Sequence, residues 1–388
     1  MKKILIIHTK YKNRGGEDIA VENEINFLKR HYEVEVLYFT NKTTNILEQA
    51  VSLMFNKNKS NQKLLTDSLG DFDPDLVYIN NTWFNASLDI FKTLKSNKKN
   101  IVIKLHNFRY NCTNFLFPSD HLQNNAMCPA CGYEKKYSHF INKYFSNSFI
   151  KSIFVIKYGK KYFKIIKDEQ YKIFVLTNFH KKFLIDNNIR TKNIKIVPNF
   201  LEDTISEVEN EETPKKEEYF IYAGRISEEK GLNELIDAFL SCNFTETKLK
   251  IIGDGPFLKN LKKDYAFDTV EFLGERKNEY VVNAISKSKG VVTATKLFEG
   301  QPTLLCEASL MGIPSIFPKT GGISEFFPQN YQFSYRQYDY SDLKKKLLEL
   351  DSIKNSYKIG EKNKEFLNDY LKEDTIVKLF DEAINNNE

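Results

Sequence analysis

The chain reads as an α/β protein made of two doubly wound domains that face each other across a cleft. Three observations predict this. Its 388 residues exceed one typical core. Short apolar runs alternate with helically spaced segments along most of the length. The alternation breaks at a polar, acidic, proline-containing stretch, 201–218, and then restarts. The expected domains are 1–205 and 206–365, with 366–388 a closing helix that packs back toward the first domain.

In the first half, KKILIIHT (2–9) is an apolar run leading to a Gly-Gly turn, and EDIAVENEINFLKRH (17–31) has helical spacing. YEVEVLYFT (32–40) alternates like a strand, while DLVYINN (75–81) and NIVIKLHN (100–107) are short buried runs. YKIFVLTNFHKKFLIDNNI and NIKIVPNF continue the strand–helix–strand pattern. The second half repeats it: YFIYAGR, KLKIIGDG, TVEFLG, GVVTAT and PSIFPK as strands, with GLNELIDAFLSC, PFLKNLKKDY, YVVNAISKSK and TLLCEASLMG as helices. The last segment, EKNKEFLNDYLKEDTIVKLFDEAINNN, is helical. Strands separated by helices make parallel sheets covered on both faces, whose ligands bind at the C-terminal strand ends.

Composition narrows the function. The net charge of +6 comes with seven arginines beside fifty lysines, which argues against nucleic acid, whose readers favour bidentate arginine. No window of about 18 apolar residues can span a membrane. The apolar run from Ile4 to Ile7 is too short for the core of a signal peptide, so a cytoplasmic location is expected. Five cysteines, an odd number without a secretion signal, argue against a disulfide framework; Cys242 and Cys306 read as small core residues.

The chemistry gathers at the predicted strand ends. Gly15 and Gly16 follow the first strand and open a helix, as a backbone approaching an anion would, or as a plain turn would. No G-x-G-x-x-G or Walker sequence is present. Gly224 and Arg225 end the first strand of the second half, and Lys230 precedes another helix start, a pair suited to a diphosphate or simply solvated at a turn. In LFEGQPTLLCEASLMGIPSI (297–316), Glu299 and Glu307 stand in otherwise apolar surroundings, seven residues between them. Pro302 suits the first position of a helix, which frees the amides of Thr303 and Leu304 for a phosphate. Two such acids can hold the hydroxyls of two sugars flanking a diphosphate, or can be a capping residue and a buried ion pair.

YAGRISEEKGLNELIDAF, LKIIGDGPFLKNL, VEFLGE and EGQPTLLCEASLMGIPSI…GGISEFF resemble the retaining glycosyltransferases of family four, from the Gly-Gly loop to the last helix. The resemblance implies the GT-B fold, an acceptor-binding N-terminal domain, and a nucleotide-sugar donor, UDP- or GDP-linked, bound mainly by the C-terminal domain. It assigns Arg225 and Lys230 to the diphosphate, Glu307 to the ribose and Glu299 to the donor sugar. It adds Gly15, Gly16, Gly224, Gly253, Arg276, Gly300, Pro302, Thr303 and Leu304 to the donor site, with Gly16 closing over the phosphates. His106 matches the family's histidine facing the transferred sugar, where the residues alone suggest an ordinary loop histidine. Gly300-Gln301-Pro302 and Pro198-Asn199-Phe200 depart from the usual Phe-Gly and Pro-Asn-Gly, and with RGGED and LHNFRYNC…CPAC resemble a branch of bacterial surface-polysaccharide assembly.

The mechanism expected from this is metal-independent and uses no cofactor: Arg225, Lys230 and helix N-termini stabilise the leaving diphosphate. Asp73-Pro74-Asp75 precedes its strand and reads as a turn rather than a metal motif. With no strong candidate for a covalent nucleophile, retention would proceed by front-face attack, the diphosphate taking the acceptor's proton. A phosphorylase or hydrolase of the same fold, or an inactive glycan- or nucleotide-binding subunit, are the alternatives.

Two further features stand apart. Residues 140–167 combine Phe145, Phe149, Ile153 and Ile156 with Lys143, Lys151, Lys157, Lys160 and Lys161. This suggests amphipathic helices lying peripherally on the anionic inner face of a membrane near a polyprenyl-diphosphate-linked acceptor, or a core helix with a solvated lysine face. The Cys128-Pro-Ala-Cys131 pair has the spacing of half a zinc site, to which Cys112 could add a third thiolate and His106, His121 or His139 a fourth ligand; cysteines packed as small apolar residues are the alternative.

Overall fold

The computed structural model describes residues 1–11, 15–41, 54–123, 125–134, 140–145, 148–201 and 217–385. The chain forms two units, Met1–Leu201 with Glu373–Glu388, and Glu202–Lys372.

The first unit opens with β1 (Lys3–Lys10), α1 (Gly16–Lys29), β2 (Glu33–Thr40), α2 (Lys59–Phe72), β3 (Leu76–Asn81), α3 (Ile90–Ser96) and β4 (Ile101–Leu105). Two short helices, α4 (Arg109–Cys112) and α5 (Pro118–Leu122), precede the long α6 (Phe149–Asp168). Then come β5 (Lys172–Val175), α7 (Asn178–Asp186) and β6 (Ile194–Ile196). The six strands are parallel in the order β2-β1-β3-β4-β5-β6. The order reverses between β1 and β3, which is where ligands of such sheets bind. The central strands are buried on both faces, and their largely apolar runs are interrupted by the buried His8, Thr9, Asn80, Asn81 and Lys104.

The second unit runs β7 (Tyr219–Ala223), α8 (Leu232–Leu240), β8 (Lys248–Ile252), α9 (Leu258–Asp264), β9 (Val270–Gly274), α10 (Asn278–Lys287) and β10 (Gly290–Val292). It continues with α11 (Thr303–Leu310), β11 (Ser315–Lys319), β12 (Ser334–Arg336), α12 (Tyr340–Ser352) and α13 (Tyr357–Tyr370). Its parallel order β12-β11-β10-β7-β8-β9 reverses between β7 and β10.

The C-terminal helical segment is two helices, not one. The chain leaves α13 at Leu371 and restarts as α14 (Glu373–Asn385), which belongs to the first unit. There Phe380 is fully buried against Tyr78 and Phe174, ring centroids 5.1 and 5.3 Å away. His31 and Glu373, 2.6 Å apart, fasten its first turn.

Three other expectations need comment. The linker candidate falls largely on 202–216, outside the described residues. Asp73 and Asp75 form a turn: Asp73 caps α2 in the left-handed region, and the Asp75 carboxylate accepts the Lys3 N–H at 2.8 Å. Within the lysine- and aromatic-rich stretch, Phe149–Asp168 forms one long helix whose Val155, Tyr158, Tyr162 and Ile166 line the core. Ile156, expected on a membrane face, is buried, whereas Phe140, Phe145, Phe149 and Ile150 are exposed.

Candidate functional site

In the first unit the ends of β1, β3 and β4 and the start of α1 surround a polar pocket lined by Tyr11, Glu17, Asn80, Trp83, His106, Asn107 and Arg109, among others. The Gly15–Gly16 turn is held from below by Asp18, at the third position of α1. Its carboxylate accepts the Gly15 N–H at 3.0 Å and the Tyr11 N–H at 3.3 Å, and lies 2.9 Å from His8 Nε2. A β-carbon on Gly15 or Gly16 would meet nothing within 4 Å, so packing among the described residues does not demand glycine there.

His106, half-buried beyond β4, donates from Nε2 to Asn80 Oδ1 at 2.8 Å, and Nδ1 has no partner among the described residues. Burial, with the Lys104 charge beside it, holds its pKa well below the usual histidine range, so the ring is neutral at physiological pH. Glu17 accepts from Tyr11 Oη at 2.9 Å and Asn107 Nδ2 at 2.8 Å; burial raises its pKa, and the Arg109 charge opposes that rise. The Arg109 guanidinium lies 5.0 Å from the Tyr11 ring and 5.6 Å from Trp83. Amide groups and a fixed imidazole can hydrogen-bond hydroxyls, and aromatic faces can pack against an apolar C–H surface. His8, Asp18, Glu17 and Arg109 were not singled out from the sequence; the one local signal was the acid three residues beyond Gly15.

In the second unit the loops after β7, β10 and β11 meet at Glu299. Lys230 Nζ lies 2.6 Å from Glu299 Oε1, each side chain 27% exposed, and Thr295 Oγ1 donates to the same oxygen at 2.9 Å. The Glu299 carbonyl accepts the Gly322 N–H at 2.8 Å. Lys296 ties the β10 loop to the β7 loop through the Glu229 carbonyl, 2.9 Å from its N–H, and its side chain pairs with Glu234 at 2.6 Å. Of the two readings left open for Glu299, the ion pair is thus present, at the β7/β10 switch point.

Arg225 is exposed just beyond β7, and among the described residues its guanidinium has no partner. Its loop is set by backbone packing: at Gly253 (φ +138) a β-carbon would lie 1.9 Å from the Gly224 carbonyl, so only glycine lets β8 end against β7 here. Arg276 stands two residues beyond β9, 5.4 Å from the Tyr280 ring, exposed. Pro302 is the residue before α11 rather than its first, its φ of −84° and ψ of 86° lying outside the helical range. Thr303 and Leu304 therefore occupy the first two helical positions, whose N–H groups lack intrahelical acceptors; Gly300 lies in the turn before them.

Glu307 sits one turn into α11 without a hydrogen-bond or ionic partner among the described residues. Burial pushes its pKa up to about 7. Its neighbours in the helix, Leu305, Cys306 and Ala308, are buried. Lys230 and Glu299, which the resemblance assigns to one donor site, are neighbours in the structure, and Gly224, Arg225 and the start of α11 lie beyond the C-terminal ends of strands of the same sheet.

Residues 203–366 match the family model of the glycosyl transferases group 1. Over 153 residues the chain is 26% identical to the amylovoran biosynthesis glycosyltransferase AmsD of Erwinia amylovora, covering 37% of this chain and 42% of that one. It is 28% identical over 114 residues to the putative teichuronic acid biosynthesis glycosyltransferase TuaC of Bacillus subtilis, 29% of this chain and 28% of the relative. The chain thus matches less than half the length of either. In structure it is similar to Anabaena HepE, crystallised with UDP and glucose, with a TM-score of 0.63, 16% identity and 99% of both chains covered. The two parallel six-stranded sheets are the GT-B fold, and the similarity to glycosyltransferases of bacterial surface-polysaccharide assembly rests on these matches.

Proposed function

We propose that this protein is a retaining glycosyltransferase that moves a sugar from a nucleoside-diphosphate donor to a glycan acceptor in bacterial surface-polysaccharide assembly. The observation that carries the reading is Glu307, a half-buried carboxyl without a partner among the described residues, whose pKa is raised to about 7, beside the open N-terminus of α11. Leaving such a group unpaired is costly unless a ligand completes it. A ribose diol supplies two donors, and the adjacent helix N–H groups suit the diphosphate that follows it.

On this reading Arg225 and Lys230 stabilise the departing diphosphate, and Glu299, already oriented by Lys230 and Thr295, holds hydroxyls of the donor sugar. The anomeric C–O bond to the diphosphate breaks while the acceptor oxygen bonds the same carbon from the same face, and its proton passes to a diphosphate oxygen. No metal is assigned to this step. The first unit's pocket, with neutral His106 and the Tyr11, Trp83 and Arg109 surfaces, takes sugar hydroxyls. We assign the acceptor to polyprenyl-diphosphate-linked glycans at a membrane surface, supported by exposed Phe140, Phe149 and Ile150 beside Lys143 and Lys151. No described helix is long and apolar enough to cross a membrane.

The test is a screen of UDP- and GDP-sugars for donor-dependent nucleoside diphosphate release, with and without lipid-linked oligosaccharides. One donor should turn over, the product should keep the donor's anomeric configuration by NMR, and added magnesium or manganese should not change the rate. Turnover only with inorganic phosphate, or none with any donor, contradicts the assignment. Flotation with anionic liposomes, but not neutral ones, is expected; protein that floats with neither refutes the membrane surface.

A further inference from the structure

Between β4 and α6 the described chain contains only the short helices α4 and α5. Long connections of this kind need something to tie them down. Here Cys112, at the end of α4, His121, in α5, and Cys128 and Cys131 converge, their ligand atoms all within 4.8 Å of one another. Cys112 Sγ and Cys128 Sγ are 4.0 Å apart. A tetrahedral zinc with Zn–S of about 2.3 Å sets sulfur–sulfur edges of about 3.7 Å, so small side-chain rotations bring the set onto one ion.

Two details decide between a metal and thiols packed as apolar groups. His121 is 6% exposed, yet among the described residues its ring nitrogens have no oxygen or nitrogen partner, with the Cys128 thiol beside them. Apolar packing accounts for buried thiols but leaves that imidazole with no partner stronger than a thiol, which native interiors rarely tolerate. One ring face is covered by Phe115, stacked at 5.7 Å and 9°, which leaves the ring edge for bonding. Secondly, Cys128-Pro-Ala-Cys131-Gly forms a closed turn: the Gly132 N–H donates to the Cys128 carbonyl at 2.8 Å, with Gly132 at φ +69°. Such a turn, which glycine permits, aims two thiols at one point.

We propose that Cys112, His121, Cys128 and Cys131 bind one structural zinc ion. Three thiolates and one imidazole in a closed tetrahedral set favour zinc and leave no open position for catalysis. Of the three histidines the sequence left open, His106 is engaged with Asn80 and His139 lies outside the described residues. The ion pins the loop to α4, the turn that begins at Arg109, and so keeps Arg109 over Tyr11 and Trp83. Its role is to position that wall of the pocket.

The test uses the full chain purified reduced, without affinity tag or chelator, and elemental analysis. About one zinc per chain is expected, with His121→Ala and Cys131→Ser each falling below about a fifth of that. His121→Cys supplies a fourth thiolate and should restore about one zinc, which separates lost ligation from misfolding. Cobalt exchanged into the wild type should show the intense visible bands of a tetrahedral thiolate site, altered in His121→Cys. A metal-free, folded wild type, full zinc retained by His121→Ala, or a Cys128–Cys131 disulfide in protein alkylated at lysis would each overturn the proposal.

Discussion

Two carboxylates, Glu24 buried in the first unit and Glu307 half-buried in the second, meet opposite fates. Glu24 lies 2.7 Å from Lys104 Nζ, their side chains 3% and 0% exposed, and accepts from Tyr78 Oη at 3.0 Å. Among the described residues Glu307 has no such partner, and burial alone raises its pKa. Where the fold completes its own charges, breaking them should cost stability. Where it leaves a charge incomplete, removing it should cost ligand binding and can even stabilise the free protein.

The sharpest break in this contrast is Lys104→Ala, which strands Glu24 in the core. Such changes cost about 3–5 kcal/mol, and denaturant unfolding of the first unit should show a loss of that order. The pair Lys104→Met with Glu24→Gln should recover most of it. An unchanged midpoint for Lys104→Ala would mean that Glu24 finds water or another partner.

Next in size are Arg225→Ala and Lys230→Ala in the second unit. Each should lower turnover by about tenfold to a thousandfold, with circular dichroism and unfolding unchanged. Lys230→Ala should be the less clean of the two, because it also frees Glu299, leaving its carboxylate with Thr295 as its remaining side-chain partner among the described residues. Near-normal turnover in either variant would remove the diphosphate assignment.

Glu307→Gln tests the contrast through pH. A carboxyl whose pKa is raised from 4.5 to about 7 on folding binds protons more tightly in the folded state. Its contribution therefore makes stability fall as pH rises from about 4.5 to about 7, and the whole penalty is present above that. At pH 8 the ligand-free Gln variant should be more stable than the wild type by on the order of 1 kcal/mol, and at pH 4 equal to it. Donor binding should weaken at the same time by about tenfold. A variant less stable at pH 8 would show that Glu307 is a satisfied structural group.

Gly16→Ala is the mildest change. Nothing described would meet the new methyl, so stability should shift by no more than about 0.5 kcal/mol. Turnover should drop about tenfold if phosphates approach this backbone. Full activity would assign the glycine to the turn alone.

The contrast also explains what the sequence made legible. Arg225, Lys230, Glu299 and Glu307 sit in short runs flanked by strand and helix patterns, so their chemistry can be read locally. The first unit's pocket is assembled from Tyr11, Glu17, Asn80, Trp83 and Arg109, far apart in the chain, and no local pattern marks Arg109 as a partner of Tyr11. Lys104 looks like any strand lysine until Glu24 is placed beneath it. The helices α2 and α12 did carry a signal: Leu65, Leu69 and Phe72, and Leu343, Leu347 and Leu350, are buried at helical spacing. Strand β12, three residues long, offers too little pattern to find. His121 could be named from the sequence only as one of three histidines, because what selects it is the convergence of a loop.

The most direct measurement is calorimetric titration of UDP and GDP into the wild type, Arg225→Ala and Glu307→Gln. One nucleoside diphosphate should bind the wild type with one site per chain, at least tenfold more weakly in each variant, with both variants folded. No binding by the wild type, or equal binding by all three proteins, would contradict a donor site built on Arg225 and Glu307.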